Sequence, residues 1–426
     1  MQLVMCLFVA AMSAVVIWAG LTKTTLKPLV YTKLTLMMLA QYFIWGVYFV
    51  TMATYMSKHL GFADSDIGQI YSVNNIAGIL SPFIIGMIAD RFFSAQKVLA
   101  IMHIVGGVMI FLVGQTTTPG AFYWLFMIYS LMYMPTIALT NSISFYQMKE
   151  PGKEFPFIRV WGTIGWILAG LIVGFAKVEE TNMPMILCSV VSILSGILCF
   201  FLPSTPPKGA GTKVTISDIL GLKALRLFKD RSFAVFAISS CLISIPLAFY
   251  YAFTNLFLNE VGMQQTAAKM TMGQMSEIIF MIIMPFFFFR LGIKKMLIVG
   301  MSAWALRYLL FAFGNTDSMV WMLYLGVILH GVCYDFFFVT GQIYVDKSAP
   351  LEIQSQAQGL ICLLTYGVGM FLGSIVSGYI VQHFKTEIMH NWAAIWLCPF
   401  VMALIIMICF SFLFKERNTE EKINIH

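Results

Sequence analysis

PSTPPKGAGTKVTISDILGLKALRLFKDR, residues 203–231, is the stretch whose reading decides the fold. It is the longest polar run in a chain of 426 residues that is 60% hydrophobic, and it lies near the middle. Pro203, Pro206 and Pro207 end whatever helix precedes them, and Lys208, Lys213, Lys223, Arg226, Lys229 and Arg231 load the stretch with cations. It reads as a linker between two halves. Its piece 216–228 (ISDILGLKALRLF), with Ser217 as N-cap, reads as a short helix lying on a membrane surface.

Outward from the linker, apolar runs of about 20 residues follow one another, the length that carries a helix across a bilayer. Six precede it, at about 34–57, 66–90, 97–116, 121–148, 157–176 and 183–202. Six follow, at about 232–258, 266–289, 295–314, 319–346, 355–382 and 392–414. Only 11% of the residues are charged, against about 25% in a soluble domain, and the mean hydropathy is +0.85. Lipid must therefore be the main solvent, and the fold class is an all-α membrane protein. The divisions are an extra hydrophobic segment 1–33, a bundle 34–202, the linker 203–231, a second bundle 232–414 and a tail 415–426.

The net charge of +7 is explained by its distribution. If the linker faces the cytoplasm, that side also holds Lys23, Lys27, Lys33, Arg91, Lys97, Lys149, Lys153, Arg290, Lys294, Lys295, Lys347, Lys415, Arg417 and Lys422. The other side holds Lys58, Lys177, Lys269 and Lys385. Twenty cations against four place both ends of the twelve-helix body in the cytoplasm, so the charge is topological and implies no nucleic-acid partner. The eight cysteines lie in apolar runs without ligand spacing, which predicts no metal and no cofactor. Residues 3–21 are long enough to span but lack a signal peptide's basic start and cleavage site. They read either as a thirteenth helix with an outside N-terminus or as an assigned start lying too far upstream.

Few ionisable residues fall inside the spans, where each costs roughly 2.5–3.5 kcal/mol at the centre and implies a partner or a wet cavity. Glu277 and Asp335 are the only carboxylates far from any span end. Arg307 lies mid-span, Arg159 just inside the fifth span, and His103 and His330 nearer span ends. One of the two carboxylates is expected to carry a proton or touch a solute. The other reading is a fixed Asp335–Arg307 or Glu277–Arg307 ion pair, and for Arg307 that structural role is preferred. The histidines are expected to pack or hydrogen-bond. Gln274 stands one turn before Glu277 on the same helix face, a donor–acceptor face suited to hydroxyls or a base edge.

Six spans on each side of a cytoplasmic linker resemble the layout of the major facilitator superfamily, whose halves are repeats. SPFIIGMIADRFFSAQKV (81–98) and IMPFFFFRLGIKKM (283–296) echo each other. Gly86, Asp90, Arg91 and Lys97 resemble that superfamily's loop signature between helices 2 and 3, a structural charge latch. The fifth and eleventh spans are rich in glycine, with Gly170-x3-Gly174 and Gly369-x3-Gly373 allowing close helix approach.

More specifically, YMPTIALTNSISFY (133–146), FPFIRVWGTIGW (155–166), LGLKALRLFK (220–229), QMSEIIFMIIMPFFFFRLGIKK (274–295), WALRYLLFAFG (304–314) and YDFFFVTGQIYVDK (334–347) resemble the nucleoside:proton symporter family of that superfamily. The resemblance implies a monomeric inner-membrane carrier that imports nucleosides with protons by alternating access. It implies substrate contacts at Arg159, Thr163, Trp166, Tyr251, Gln274, Glu277, Tyr334 and Asp335, with Glu277 and Asp335 as proton-coupling candidates. One departure stands out. Two amide positions before Asn255-Leu-Phe-Leu258 are here Ala248 and Tyr251, which keeps open a sugar or other small polar solute as cargo. No HExxH, Ser/His/Asp set, phosphate loop or domain beyond the membrane is present, so an enzyme is not expected.

Overall fold

Backbone in lipid has no water to bond, so each apolar run must close its own hydrogen bonds, and helices do so. The structure is a computed structural model that describes residues 2–88, 93–206, 222–387 and 389–416. Among the described residues the only β-type pairing is an isolated bridge between Lys385 and His390. The first half of the sequence forms α1 (Gln2–Lys23), α2 (Pro28–His59), α3 (Asp64–Ile88), α4 (Ala95–Val113), α5 (Pro119–Gln147), α6 (Pro151–Ala176) and α7 (Met183–Cys199). A 3-10 segment, Leu222–Lys229, leads into α8 (Arg231–Glu260), where Asp230 caps the start by accepting from the Phe233 amide at 2.8 Å. One helical stretch, Thr266–Phe313, is broken at Gly292 into α9 (266–291) and α10 (293–313). Then come α11 (Val320–Ser348), α12 (Leu351–His383) and α13 (Trp392–Leu413).

Each of the twelve expected spans is met by one helix from α2 to α13. The break at Gly292 sits at φ 71°, a conformation that favours glycine. Beyond it the Glu416 carboxylate accepts from the amides of Ile293 (3.0 Å) and Lys294 (3.2 Å), placing an anion on the N-terminus of α10. Helix α2 starts at Pro28, earlier than the expected 34, because proline suits a first helical turn whose amides have no partner anyway. The extra segment α1 packs on α6. The Tyr31 hydroxyl donates to the Val16 carbonyl at 3.2 Å, and the buried Glu154 carboxylate accepts from the Thr25 amide and hydroxyl. Asp90, Arg91, the 216–221 part of the expected surface helix with Ser217, and the tail from 417 lie outside the described residues.

The chain divides into two compact units. The first comprises Met1–Phe62, Ala77–Thr212 and Gln265–Thr271; the second comprises Ala63–Ile76, Lys213–Gln264 and Met272–His426. In the first, α2 packs on α6 and α7, and α4 on α5 and α7. The α2–α6 approach is so close that a Cβ on Gly165 would lie 2.2 Å from the Leu39 carbonyl oxygen. In the second, α8 packs on α12 and α13. There a Cβ on Gly373 would come within 2.7 Å of the Ala248 methyl.

The second unit also holds a buried ion cluster that the sequence did not announce. His390, whose side chain is 2% exposed, has Nε2 3.1 Å from Asp64 Oδ2 and Nδ1 2.9 Å from both Glu260 oxygens. Lys385 Nζ stands 3.4 Å from Asp64, and the Trp392 indole donates to Glu260 at 2.8 Å. A ring with a carboxylate at each nitrogen must donate from both, so the imidazole is held as imidazolium. Burial by itself pushes the His390 pKa down, but the bonds to Asp64 and Glu260 and their charges outweigh it and hold it up to about 9. A raised basic group stabilises the fold fully below its ordinary pKa and loses that contribution as pH rises through the raised one. The unfolding temperature of purified protein is therefore expected to fall between pH 7 and pH 10, with His390→Gln showing a shallower fall. Parallel pH dependence in the two proteins would refute the assignment.

Candidate functional site

In the first unit, Arg159, Thr163 and Trp166 stand on α6 at spacings of four and three residues, which places them along one face. All three are half-buried. The Arg159 guanidinium carbon lies 4.2 Å from the centre of the Tyr42 ring, a cation–π contact that steadies the charge without consuming it in an ion pair. Trp166 packs edge-on to Trp45 (5.5 Å, 74°) and against Phe49 (6.4 Å, 68°), both on α2. Gly46 lets the α2 backbone approach, since a Cβ there would meet the indole at 3.0 Å. Behind this face runs a buried polar network. Gln41 donates to the Thr136 hydroxyl (2.7 Å), its oxygen stands 3.0 Å from His103 Nε2, and the Ser192 hydroxyl donates to the His103 carbonyl (2.9 Å). His103 is thus held by hydrogen bonds in the core.

In the second unit the polar residues come from five helices. Gln274 and Glu277, both half-buried, share one face of α9. Glu277 is fixed in place by a tight crossing, because a Cβ on Gly331 would lie 2.6 Å from its backbone nitrogen. Beside that crossing the Ser276 hydroxyl donates to the Ile328 carbonyl (2.7 Å) and accepts from the Gly331 amide (3.0 Å). Glu277 lies within electrostatic range of Tyr250, Tyr251 and Asp335, and Tyr251 within range of Tyr334. Of the expected residues, then, Tyr251, Gln274, Glu277, Tyr334 and Asp335 belong to the second unit, and Arg159, Thr163 and Trp166 to the first.

Asp335 opens a π-helical turn, Asp335–Val339, inside α11. Such turns re-aim side chains and recur at functional sites. The residue is fully buried, and neither carboxylate oxygen has a hydrogen-bond partner among the described residues. Arg307 on α10 is equally buried, and its three guanidinium nitrogens likewise find no partner. The fixed hydrogen-bonded ion pair weighed from the sequence is therefore not formed. Instead the guanidinium sits 4.2 Å above the Tyr250 ring, which also packs near-parallel to the His330 imidazole at 5.2 Å and 16°. The physical reason is that α8 presents an aromatic ring to the cation, so ring and charge pair.

Two residues escaped the sequence reading. Tyr366 sits in a second π-helical turn, Leu363–Gly369 in α12, and its hydroxyl donates to the Tyr334 hydroxyl at 2.9 Å. Tyr250 carries the Arg307 charge. Ala248 is 1% exposed and sealed against Gly373, so it offers nothing to a ligand. Among the described residues no group of three His, Cys, Asp or Glu could hold a metal ion.

A family model described as "Nucleoside H+ symporter" matches residues 29–419. The putative nucleoside transporter YegT of Escherichia coli (strain K12) is 45% identical over 403 residues, covering 91% of this chain and 94% of that protein. The nucleoside permease NupG of the same organism is 33% identical over 401 residues, covering 91% and 96%. The xanthosine permease of that organism is 32% identical over 406 residues, covering 92% and 97%. A crystal structure of the nucleoside transporter NupG superposes with a TM-score of 0.84 at 32% identity, covering 91% of this chain and all of that one.

Two carboxyl groups within electrostatic range of each other, Glu277 and Asp335, should be energetically linked even without touching, because low-dielectric surroundings screen poorly. Glu277→Gln and Asp335→Asn are each expected to change the unfolding temperature in detergent, and the double variant to depart from the sum of the two, a coupling of about 1 kcal/mol or more. Simple addition of the two single effects would show that the groups do not sense each other.

Proposed function

We infer what the chain does from one premise: it belongs to the nucleoside H+ symporter family. It is a multi-pass membrane transporter of the major facilitator fold. Its cargo is nucleosides, imported with protons by alternating access. It works as a monomer in the inner membrane, with the ends of the α2–α13 body in the cytoplasm, and performs no covalent chemistry.

The observation that carries this reading is Asp335, fully buried mid-span with two carboxylate oxygens that lack hydrogen-bond partners, in electrostatic range of Glu277. A carboxyl group in such a place gains from being neutral and loses from being charged, so its proton occupancy answers to small changes in its surroundings. That is the property a proton-coupled carrier needs. Glu277 and Asp335 are the coupling pair. Gln274, Tyr251 and Tyr334 supply hydrogen bonds to the solute from the second unit. Arg159, Thr163 and Trp166 are further proposed solute contacts, the indole being suited to stacking on a base. The departure from amides at Ala248 and Tyr251 favours a second reading in which the same machinery carries a sugar, and competition of labelled uridine uptake by unlabelled sugars separates the two.

In cells lacking their own nucleoside carriers, Glu277→Gln and Asp335→Asn are each expected to abolish uptake against a gradient. At least one of them should still exchange internal for external nucleoside, since exchange needs no net proton release. Normal accumulation by both variants would overturn the coupling assignment.

A further inference from the structure

The amide-for-phenol exchange at Tyr251 acquires a meaning when Tyr366 is added. Tyr251, Tyr334 and Tyr366 come from α8, α11 and α12, and lie within electrostatic range of one another. Each is deep within its helix yet only half-buried, so all three keep accessible surface. Tyr366 donates to Tyr334 at 2.9 Å, and its ring stacks on Phe338 at 5.4 Å and 25°, which fixes the direction of the phenol. The two π-helical turns flank this pair, one starting at the residue after Tyr334 and the other enclosing Tyr366. Ala248, meanwhile, is closed off against Gly373, so no amide can be placed there without moving α12.

We propose that Tyr366, paired with Tyr334 and supported by Tyr251, is a specificity-determining residue that reads the vicinal hydroxyls of the ribose, so that the carrier prefers ribonucleosides to 2′-deoxyribonucleosides. The chemistry is that of matched hydroxyl pairs. A cis-diol carries two oxygens about a hydrogen bond apart, each both donor and acceptor, and the Tyr366–Tyr334 pair offers the same spacing and the same capacities. Phenols are neutral, so they recognise a neutral sugar without adding charge to a unit that already holds Arg307, Glu277 and Asp335. A site built to bond a hydroxyl discriminates against the analogue that lacks it, because its own polar groups then go unpaired. An amide reads a base edge well; a phenol wall in its place shifts recognition toward the sugar.

This inference rests on the nucleoside reading above, and its test keeps the two apart. Uptake of labelled uridine is competed with unlabelled uridine and with 2′-deoxyuridine, for the wild type and Tyr366→Phe, in cells without other nucleoside carriers. The wild type is expected to favour uridine by about tenfold, the worth of one hydrogen bond in a site built for it, and Tyr366→Phe to favour neither. Tyr366→Phe removes a single oxygen and keeps the Phe338 stack. As a readout that does not depend on transport rate, the shift in unfolding temperature of purified protein with each nucleoside should show the same loss of preference. A wild type without preference, or a Tyr366→Phe variant that keeps it, overturns the role of Tyr366 while leaving the nucleoside reading intact. A wild type that neither moves nor binds uridine overturns that reading, and this proposal with it.

Discussion

A charge that no hydrogen bond satisfies, held in the middle of an apolar helix, is the constraint from which the rest of the structure follows. Asp335 has no hydrogen-bond partner among the described residues, and Arg307, the cation that could have neutralised it, is held on the face of Tyr250. A directly paired carboxylate would be stable and inert, because breaking a buried pair costs several kcal/mol. An unpaired one is tolerable only if it can bind and release a proton. The Tyr250 ring matters beside the carboxylate because it is the group that holds the Arg307 charge.

Close helix approach is what allows side chains from several helices to meet in this way. In the first unit, Gly165 and Gly46 bring α2 against α6 until Trp166 is clasped between Trp45 and Phe49. In the second, Gly331 seats α11 against the Glu277 backbone, and Gly373 seats α12 against Ala248. Packing of this kind fixes positions to a fraction of an ångström and leaves the polar ends of the side chains to do the recognising. The π-helical turns at Asp335 and around Tyr366 lie at the same polar residues.

Much of this was legible in the sequence. The span pattern follows from hydropathy alone, because lipid leaves the backbone little choice but helix, and Glu277 and Asp335 stand out as carboxylates with no business in an apolar run. What the sequence could not show is who meets whom. Asp64 and His390 are 326 positions apart and Glu260 and His390 are 130 apart, so no local pattern links them. The Asp335–Arg307 hydrogen bond looked natural on charge grounds and is absent among the described residues; the guanidinium lies on the face of Tyr250 instead. Ala248 read as a lost ligand contact, whereas it is a packing surface for Gly373. The π turns left no trace in the periodicity, and with them Tyr366 stayed hidden.

The central claim is that solute and proton move together through the agency of the buried carboxylates. Its most direct test is to reconstitute the purified protein in sealed vesicles without any imposed gradient, add uridine outside, and record the external pH. The account predicts that uridine entry draws protons in, so that the medium turns alkaline until a protonophore dissipates the change. Uridine entry with no movement of protons would contradict it.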